Sequence, residues 1–230
     1  MIRLYIASIE ALLEESYFQQ KLEEVSESRK RKILECKMQQ DQVRSLGAGL
    51  LLQHAWIQYL AEQEHAMEST IEKQDISKEE MEINVDEFGK SHCMNRPDFC
   101  YNLSHSGDYV VCAQSDMEVG VDIQQVKAVN LNIARRFFLP EEYQELQTEE
   151  QDQNRVFCQM WTMKESYVKY TGRGMEQGLD TFRVNRTEGK VTDLSSGKTV
   201  STVLQDTIPG YEVAVCSGVK KEVRLEHLIL

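Results

Sequence analysis

The chain has 230 residues, enough for one large domain or for two compact halves of about 100 to 130 residues each. Its 38 acidic and 26 basic side chains give a net charge of −12, which argues against general nucleic-acid binding through phosphate neutralisation. No apolar run approaches the roughly 20 residues that a membrane helix needs, and acidic residues interrupt the N-terminal segment where a secretory leader would lie. We therefore expect a cytoplasmic protein without a membrane span, with its six scattered cysteines as reduced core thiols.

The first third of the chain predicts one strand followed by helices. Alternating apolar residues after Met1 are typical of a strand, and residues 10–68 are rich in Leu, Glu, Lys and Gln with few helix breakers. Small residues near 26–28 and glycines near 47–49 predict breaks between two or three helices. Residues 69–80 predict a polar connector.

A basic run at residues 28–32 is the first candidate binding element. The run S-R-K-R-K supplies four positive charges in an acidic chain, so it could meet an anionic ligand. A short basic run is equally typical of a solvated helix face. Both interpretations stay open at this point.

The middle of the chain predicts strands and a tight hairpin. Residues 81–85, 99–103 and 109–113 are rich in apolar and β-branched residues. The Ser-Gly-Asp sequence at 106–108 predicts a turn between the last two strands, with His105 at its tip.

The rest of the chain repeats the order of strand, helices and strands. Residues 119–123 predict a strand, residues 130–147 and 155–170 predict helices, and alternating strands follow from Thr181. We therefore predict an α+β fold with helices packed on antiparallel sheets.

The repeated order also predicts two similar α/β halves related by a pseudo-twofold axis. We place the N-terminal half at residues 1–115 and the C-terminal half at residues 116–230. A cleft between such halves is a natural place for a ligand, so we expect the active site there.

The strand V-G-V-D-I-Q displays an acidic residue on one face. A period of two puts its three β-branched residues on one side and Asp122 with Gln124 on the other. A lone Asp on a strand is often solvent-facing, so its meaning depends on what lies opposite.

The helix predicted after residue 155 carries Glu165 away from its main apolar stripe. A second apolar flank that includes Trp161 lies beside Glu165, which predicts a partly buried groove. The alternative is that Glu165 and Lys169 form an ordinary surface pair four residues apart. That alternative leaves Trp161 exposed without a reason.

Two carboxylates facing one groove suggest a cation site. Asp122 and Glu165 would repel each other, and Mg²⁺ accepts one or two carboxylates while keeping positions open for phosphate oxygens. With Lys164 and Lys169 adjacent, this set would suit a diphosphate ligand.

These residues also carry a family resemblance. The segments G-V-D-I (120–123), R-F-F (136–138) and W-T-M-K-E-S-Y-V-K (161–169) resemble the signature motifs of the 4'-phosphopantetheinyl transferases. Further segments resemble the surfactin-synthetase-activating (Sfp-type) branch: the basic helix at 29–45, E-F-G-K (87–90) and N-L-S-H-S-G (102–107). The similarity spans roughly residues 29–175 with order and spacing kept.

The resemblance implies an activity. It implies transfer of the 4'-phosphopantetheine arm of coenzyme A to a serine of an apo acyl or peptidyl carrier protein, with release of adenosine 3',5'-bisphosphate. Asp122 and Glu165 would hold Mg²⁺, and Glu165 would accept the serine proton. Lys164 and Lys169 would meet diphosphate oxygens. The phosphorylated adenosine end would be held by Arg29, Lys32, Arg44, Lys90, Ser104 and His105.

Several residues keep two interpretations. His105 could be a plain turn residue, and Glu142 could belong to a helix start or to a family acidic position near the site. Arg135, Arg136 and the aromatic pair after them could face the carrier protein or complete the core. Gln124 departs from the family, which commonly has a third acidic residue there, so it is a weaker metal-site candidate.

Two other functions remain open from the sequence. One is a Mg²⁺-dependent hydrolase of coenzyme A or nucleotide diphosphates, and the other is a non-catalytic module that binds coenzyme A or docks on carrier proteins. The resemblance leaves the pathway open among nonribosomal peptide, polyketide and fatty-acid synthesis. It favours a monomer.

Overall fold

The computed structural model describes residues 1–67, 79–149 and 152–230, so most of the predicted connector at 69–80 lies outside the described residues. The helices are α1 (Glu15–Leu22), α2 (Glu27–Glu35), α3 (Gln39–Met67), α4 (Leu131–Phe137), α5 (Pro140–Thr148) and α6 (Gln153–Thr171). The strands are β1 (Ile2–Ser8), β2 (Ile83–Val85), β3 (Ser91–Cys93), β4 (Cys100–Ser106), β5 (Tyr109–Ser115), β6 (Val119–Gln125), β7 (Phe182–Asn185), β8 (Lys190–Asp193), β9 (Thr199–Gln205), β10 (Tyr211–Ser217) and β11 (Val223–Ile229).

Two larger sheets and one small hairpin organise these strands. The first sheet has the order β11-β1-β5-β4, the second has the order β6-β10-β9-β8-β7, and β2 pairs with β3. Neighbouring strands are antiparallel except β1 and β11, which are parallel. The α+β class with helices on mainly antiparallel sheets is confirmed.

The two sheets share one apolar interior. Ile2, Leu4 and Ile6 of β1 pack with Val121 and Ile123 of β6 in a single buried cluster. A second cluster joins the outer face of the first sheet to α1, α2 and α3. A third joins the second sheet to α4, α5 and α6. Helices therefore cover the outer faces, while the predicted apolar side of β6 faces the other sheet.

The predicted break at residues 47–49 is wrong. Gly47 and Gly49 both lie inside α3, which runs without interruption. A Cβ added at Gly47 would lie 3.1 Å from Ile9 and 3.3 Å from Val110, so this glycine allows the helix to approach the first sheet closely. The predicted break near 26–28 is confirmed, because Ser26 caps α2 by accepting from the Arg29 N–H.

Turn residues act largely as predicted, with one correction. Gly107 has a positive φ of 55° and turns β4 into β5, whereas His105 lies within β4 and pairs with Val110. Gly172, with φ 71°, ends α6 as a left-handed cap. The helical segment predicted at 130–147 forms two helices, because α5 begins anew at Pro140.

The last strand returns to the first sheet. β11 pairs with β1 through the full length of both strands, although it follows the strands of the second sheet in the chain. The division at residues 115 and 116 stays a prediction. Across the described residues, no helix is both long and apolar enough to cross a bilayer. All six cysteines are free thiols, four of them buried.

Candidate functional site

The polar face of β6 lies against α6. A Cβ at Gly120 would lie only 2.0 Å from the Ser166 carbonyl oxygen and 2.4 Å from the Tyr170 nitrogen, so only glycine permits this approach. Since strand residues alternate, Asp122 and Gln124 point to the same side as Gly120. The close approach therefore brings Asp122 beneath the last turns of α6.

Asp122 joins three elements through one oxygen. Its Oδ1 accepts from Lys169 Nζ of α6 at 2.7 Å and from Ser104 Oγ of β4 at 2.8 Å. Lys169 also donates to Ser104 at 2.9 Å. Asp122 is only 7% exposed, so hydrogen bonds from these two donors replace most of the water around its carboxylate.

Glu165 lies one helical turn before Lys169 and is half-buried. Burial raises the pKa of its carboxyl first, and the charge of Asp122 raises it further, while Lys169 opposes both. The two carboxylates are therefore close enough to repel. Among the described residues no three His, Cys, Asp or Glu side chains gather as a metal cluster, so the acidic donors form a pair. A pair of carboxylates suits Mg²⁺, which keeps other positions for water and phosphate.

A positive region lies beside this pair on the first sheet. Arg44 of α3 donates to the Gly107 carbonyl at 3.1 Å and to Asp41 at 2.8 Å. The pKa of His105 is lowered, first by partial burial of the ring and then by the charges of Arg44 and Lys169. Arg44 and Lys169 are thus both near the His105 ring, and these two charges would attract an anion.

Lys90 approaches the same region from the other side. Its Nζ donates to the Tyr170 carbonyl at 2.9 Å and lies 2.5 Å from Glu118. Lys90 and Lys169 line one cavity of about 280 Å³, together with Asn102. The cavity offers a ligand two lysines from different halves of the chain.

The basic run is divided between two environments. Arg29 is held between α2 and α3, donates to the Ser45 carbonyl at 2.8 Å and has its pKa lowered by burial. Its Nε is buried without a hydrogen-bond partner among the described residues. Lys32 is exposed on α2. Arg29 therefore lies next to the segment that carries Arg44, and Lys32 stays in solvent.

The structure corrects the expectation for Lys164. Its side chain has no exposed surface, and its Nζ lies 2.8 Å from a Glu142 carboxylate oxygen. It also donates to the Leu179 carbonyl at 2.8 Å and to the Phe182 carbonyl at 3.2 Å. Three acceptors in the interior occupy the ammonium group, so Lys164 cannot reach a diphosphate in the groove.

Glu142, the partner of Lys164, is held at the start of α5. One carboxylate oxygen accepts from the Leu139 N–H at 2.8 Å at the start of α5, and the other accepts from the Val184 N–H at 2.8 Å. The helix-start interpretation of Glu142 is therefore the correct one. Glu142 anchors α5 to β7 beneath α6.

A buried glutamate beside Gln124 was not predicted from the sequence. Glu212 of β10 is directly opposite Gln124 and only 2% exposed. It lies 2.6 Å from Arg155, while burial raises its pKa. The alternation in β10 places Glu212 on the non-apolar face, but that face is covered by α6, which the pattern of one strand cannot show.

Aromatic side chains form a wall at the N-terminal side of Glu165. Trp161 stacks on Phe157 with ring centres 5.7 Å apart and meets Phe137 edge-on at 6.2 Å. The guanidinium of Arg136 lies 5.1 Å from the Phe137 ring centre. Phe138 is buried against Phe157, so it belongs to the core, whereas Phe137 and Arg136 border the surface.

Comparisons with known proteins point to one family. The model of the 4'-phosphopantetheinyl transferase superfamily matches residues 118–216, which include β6, α6 and β10. Among curated relatives, "4'-phosphopantetheinyl transferase Sfp" of Bacillus subtilis (strain 168) is 36% identical, covering 62% of this chain and 66% of that protein. "4'-phosphopantetheinyl transferase psf-1" of Bacillus pumilus is 40% identical, covering 61% of each chain.

A third relative is matched over a slightly larger share. "4'-phosphopantetheinyl transferase ffp" of Bacillus subtilis is 36% identical, covering 64% of this chain and 67% of that protein. The matched part of the chain thus spans about two thirds, or slightly less, of the length of these relatives. Among solved structures, holo-[acyl-carrier-protein] synthase of Thermotoga maritima matches with a TM-score of 0.35 and 17% identity, covering 44% of this chain and 61% of that chain.

Proposed function

This chain belongs to the 4'-phosphopantetheinyl transferase superfamily, and we propose that it transfers the phosphopantetheine arm of coenzyme A to a serine hydroxyl of an apo carrier protein. The second product is adenosine 3',5'-bisphosphate. The printed names of its relatives support the activity. The observation that carries the proposal is the convergence of three side chains: Lys169 donates to Asp122 at 2.7 Å, and the charges of both act on the half-buried Glu165.

A divalent cation fits the acidic pair. Asp122 and Glu165 would hold Mg²⁺, because a bound cation relieves the mutual repulsion that raises the pKa of Glu165. When bound, Mg²⁺ supplies charge neutralisation for the diphosphate of coenzyme A. Gln124 supplies a neutral oxygen nearby and is a weaker candidate ligand.

Lys169 and Glu165 serve the transfer step directly. The attacked phosphorus carries negative oxygens, so the reaction depends on charge stabilisation and alignment more than on a strong nucleophile. Lys169 would donate to a diphosphate oxygen. Glu165 would accept the proton of the carrier serine, directly or through one water.

The first half of the chain would hold the adenosine end. Arg44, His105 and Lys90 would meet the phosphate groups of the bisphosphate, because Arg44 and Lys169 lie near His105 and Lys90 shares a cavity with Lys169. Arg29 and Lys32 extend this region along α2. Ser104 lies between the two sides, since it contacts both Asp122 and Lys169.

The acceptor is an apo acyl or peptidyl carrier protein. Arg135, Arg136 and Phe137 lie at the rim, beside the aromatic wall that ends at Trp161, and would contact the carrier there. This places the carrier serine on the Glu165 side of the groove. A cytoplasmic monomer stays the prediction from the sequence.

The release of the bisphosphate product tests the proposal. Coenzyme A, Mg²⁺ and the protein are incubated with an apo carrier protein, with its acceptor Ser→Ala variant, or without a carrier, and nucleotides are separated chromatographically. We expect adenosine 3',5'-bisphosphate only with the intact apo carrier. Release without any carrier would instead favour the hydrolase, and bound coenzyme A without any product would favour the binding module.

A further inference from the structure

The two larger sheets meet along a row of side-chain hydrogen bonds. β4 ends the first sheet and β6 begins the second, and the two strands lie side by side. Three side chains of β4 accept from three main-chain N–H groups of β6. The pairs are Asn102 Oδ1 with the Val121 N–H at 3.0 Å, Ser104 Oγ with the Ile123 N–H at 3.4 Å, and Ser106 Oγ with the Gln125 N–H at 3.0 Å.

These hydrogen bonds give partners to N–H groups at the edge of the second sheet. Alternate N–H groups of β6 point away from β10, and each would be costly to bury without a partner. β4 meets this need with side-chain oxygens at every second residue, which matches the spacing of the N–H groups. We call these three side chains, Asn102, Ser104 and Ser106, the edge ladder.

The edge ladder also fixes the register between the sheets. A shift by one residue would bring Leu103 and His105 against the β6 N–H groups. The leucine side chain has no acceptor, and the imidazole differs in size from the Ser and Asn side chains. The sequence N-L-S-H-S therefore specifies one alignment of β4 with β6.

That alignment determines how the two sides of the groove face each other. Ser104, the middle member, also donates to Asp122 and accepts from Lys169. The next residue, His105, belongs to the positive region with Arg44. A change of register would move this region relative to the acidic pair.

We propose that the edge ladder is a positioning device that sets the distance between the adenosine-binding cations and the Asp122–Glu165 pair. The proposal rests on the proposed function, in which coenzyme A contacts both sides of the groove at once. A ligand that contacts only one side of the groove can bind whatever the register between β4 and β6. Coenzyme A contacts both sides with covalently linked ends, so its binding depends on that register.

Ser106 is the member best suited to a test. It lines none of the cavities described and lies outside the contacts of Asp122. Ser106→Ala removes the acceptor for the Gln125 N–H, and Ser106→Thr keeps it. Ser8→Ala is the matched control, because Ser8 is also half-buried at a strand end and its Oγ accepts the Glu10 N–H within one half.

Calorimetric titrations compare three ligands: coenzyme A, adenosine 3',5'-bisphosphate and Mn²⁺ alone. For Ser106→Ala we expect coenzyme A to bind about tenfold more weakly, while the bisphosphate and Mn²⁺ bind as to wild type. Ser106→Thr should restore the affinity for coenzyme A, and Ser8→Ala should not change it. Unchanged coenzyme A binding in Ser106→Ala, or an equal loss for the bisphosphate, would overturn the proposal.

A second readout is independent of coenzyme A. Amide hydrogen exchange of Gln125 should become faster in Ser106→Ala than in Ser106→Thr, with the rate of the Val121 amide unchanged. Equal Gln125 exchange rates in the two variants would reject the ladder itself. Failure of wild type to bind coenzyme A, with the exchange difference present, would instead reject the proposed function and leave the ladder standing.

Discussion

Lys164 and Glu142 form an ion pair that is completely enclosed by the protein. Both side chains are at most 2% exposed, and the Lys164 Nζ lies 4.7 Å from the Phe182 ring centre. Burial lowers the pKa of Lys164, and the charge of Glu142 opposes this. An enclosed pair adds little net stability, but removal of one partner leaves the other charge buried and alone.

Lys164→Met should therefore destabilise the fold by about 3 to 5 kcal/mol, because Glu142 loses its counter-charge. The double variant Lys164→Met with Glu142→Gln should lose less than the single variant because neither charge remains, although the amide nitrogen would face one of the two main-chain N–H groups that donate to Glu142. Lys220→Met, at an exposed lysine, should change stability by less than about 0.5 kcal/mol. Urea unfolding measures all three. If Lys164→Met is as stable as Lys220→Met, the buried pair is misassigned.

Gln124 stands where the family resemblance implies a third acidic residue. Gln124→Glu would add a third carboxylate beside Asp122, so we expect activity to be retained and less Mg²⁺ to be needed for half-maximal rate. The new charge would face Glu212, so metal-free stability should fall by up to about 1 kcal/mol. Gln20→Glu in α1 is the exposed control. An unchanged Mg²⁺ titration of transfer would reject a role for position 124.

The sequence predicted that Glu165 and Lys169 lie on the same side of one helix, because one helical turn separates them. It also predicted that Asp122 lies on the face of β6 opposite its apolar side chains. The sequence did not reveal that Lys164, the neighbour of Glu165 in the motif, is buried. Its partner Glu142 comes from α5, so the ion pair depends on how α5 packs against α6. Glu212 escaped notice for the same reason.

Contact between β6 and α6 is the central packing event of the C-terminal half. The strand supplies Asp122, and the helix supplies Glu165 and Lys169. Gly120 permits the backbones to approach, so the glycine of G-V-D-I has a steric function two residues from the chemistry.

Gly120→Ala should separate β6 from α6. The new Cβ would meet two backbone atoms that cannot rotate away, so we expect a loss of about 3 kcal/mol or more in unfolding free energy. In Gly49→Ala the Cβ would lie 3.0 Å from the Arg29 side chain, which can shift slightly where backbone atoms cannot, so a smaller loss is expected. Urea unfolding compares them, and equal losses would contradict the account.

Three element boundaries were predictable from a local signal. Pro140 begins α5, Ser26 caps α2 and Gly172 ends α6, and each acts through its own backbone or side chain. Gly47 and Gly49 carry the same local signal but do not end α3. Their function is contact with distant residues, which the local pattern does not contain.

The whole molecule consists of two sheets that share an interior and join along the edge ladder. The repeated order of elements predicted two halves, and the strands form two larger sheets, the first of which also includes β11 from the end of the chain. The return of β11 to β1 was not predictable, because any apolar strand near the end of the chain could extend either sheet. The N-L-S-H-S-G motif indicated a functional segment without revealing that its side chains join the sheets.

The net charge of −12 makes the local arrangement of cations important. Arg44, Lys90 and Lys169 lie around the groove, so an anionic ligand meets positive charge there despite the acidic surface elsewhere. At physiological salt, screening acts over about 8 Å, so these nearby charges dominate at the site.

The proposed transfer depends on Glu165, which lies near Asp122 and one helical turn from Lys169. Its most direct test is the intact mass of an apo carrier protein after incubation with coenzyme A, Mg²⁺ and the protein. We expect a phosphopantetheine-sized gain with wild type and none with folded Glu165→Gln. No gain across several acyl and peptidyl carriers, or an equal gain with Glu165→Gln, would contradict it.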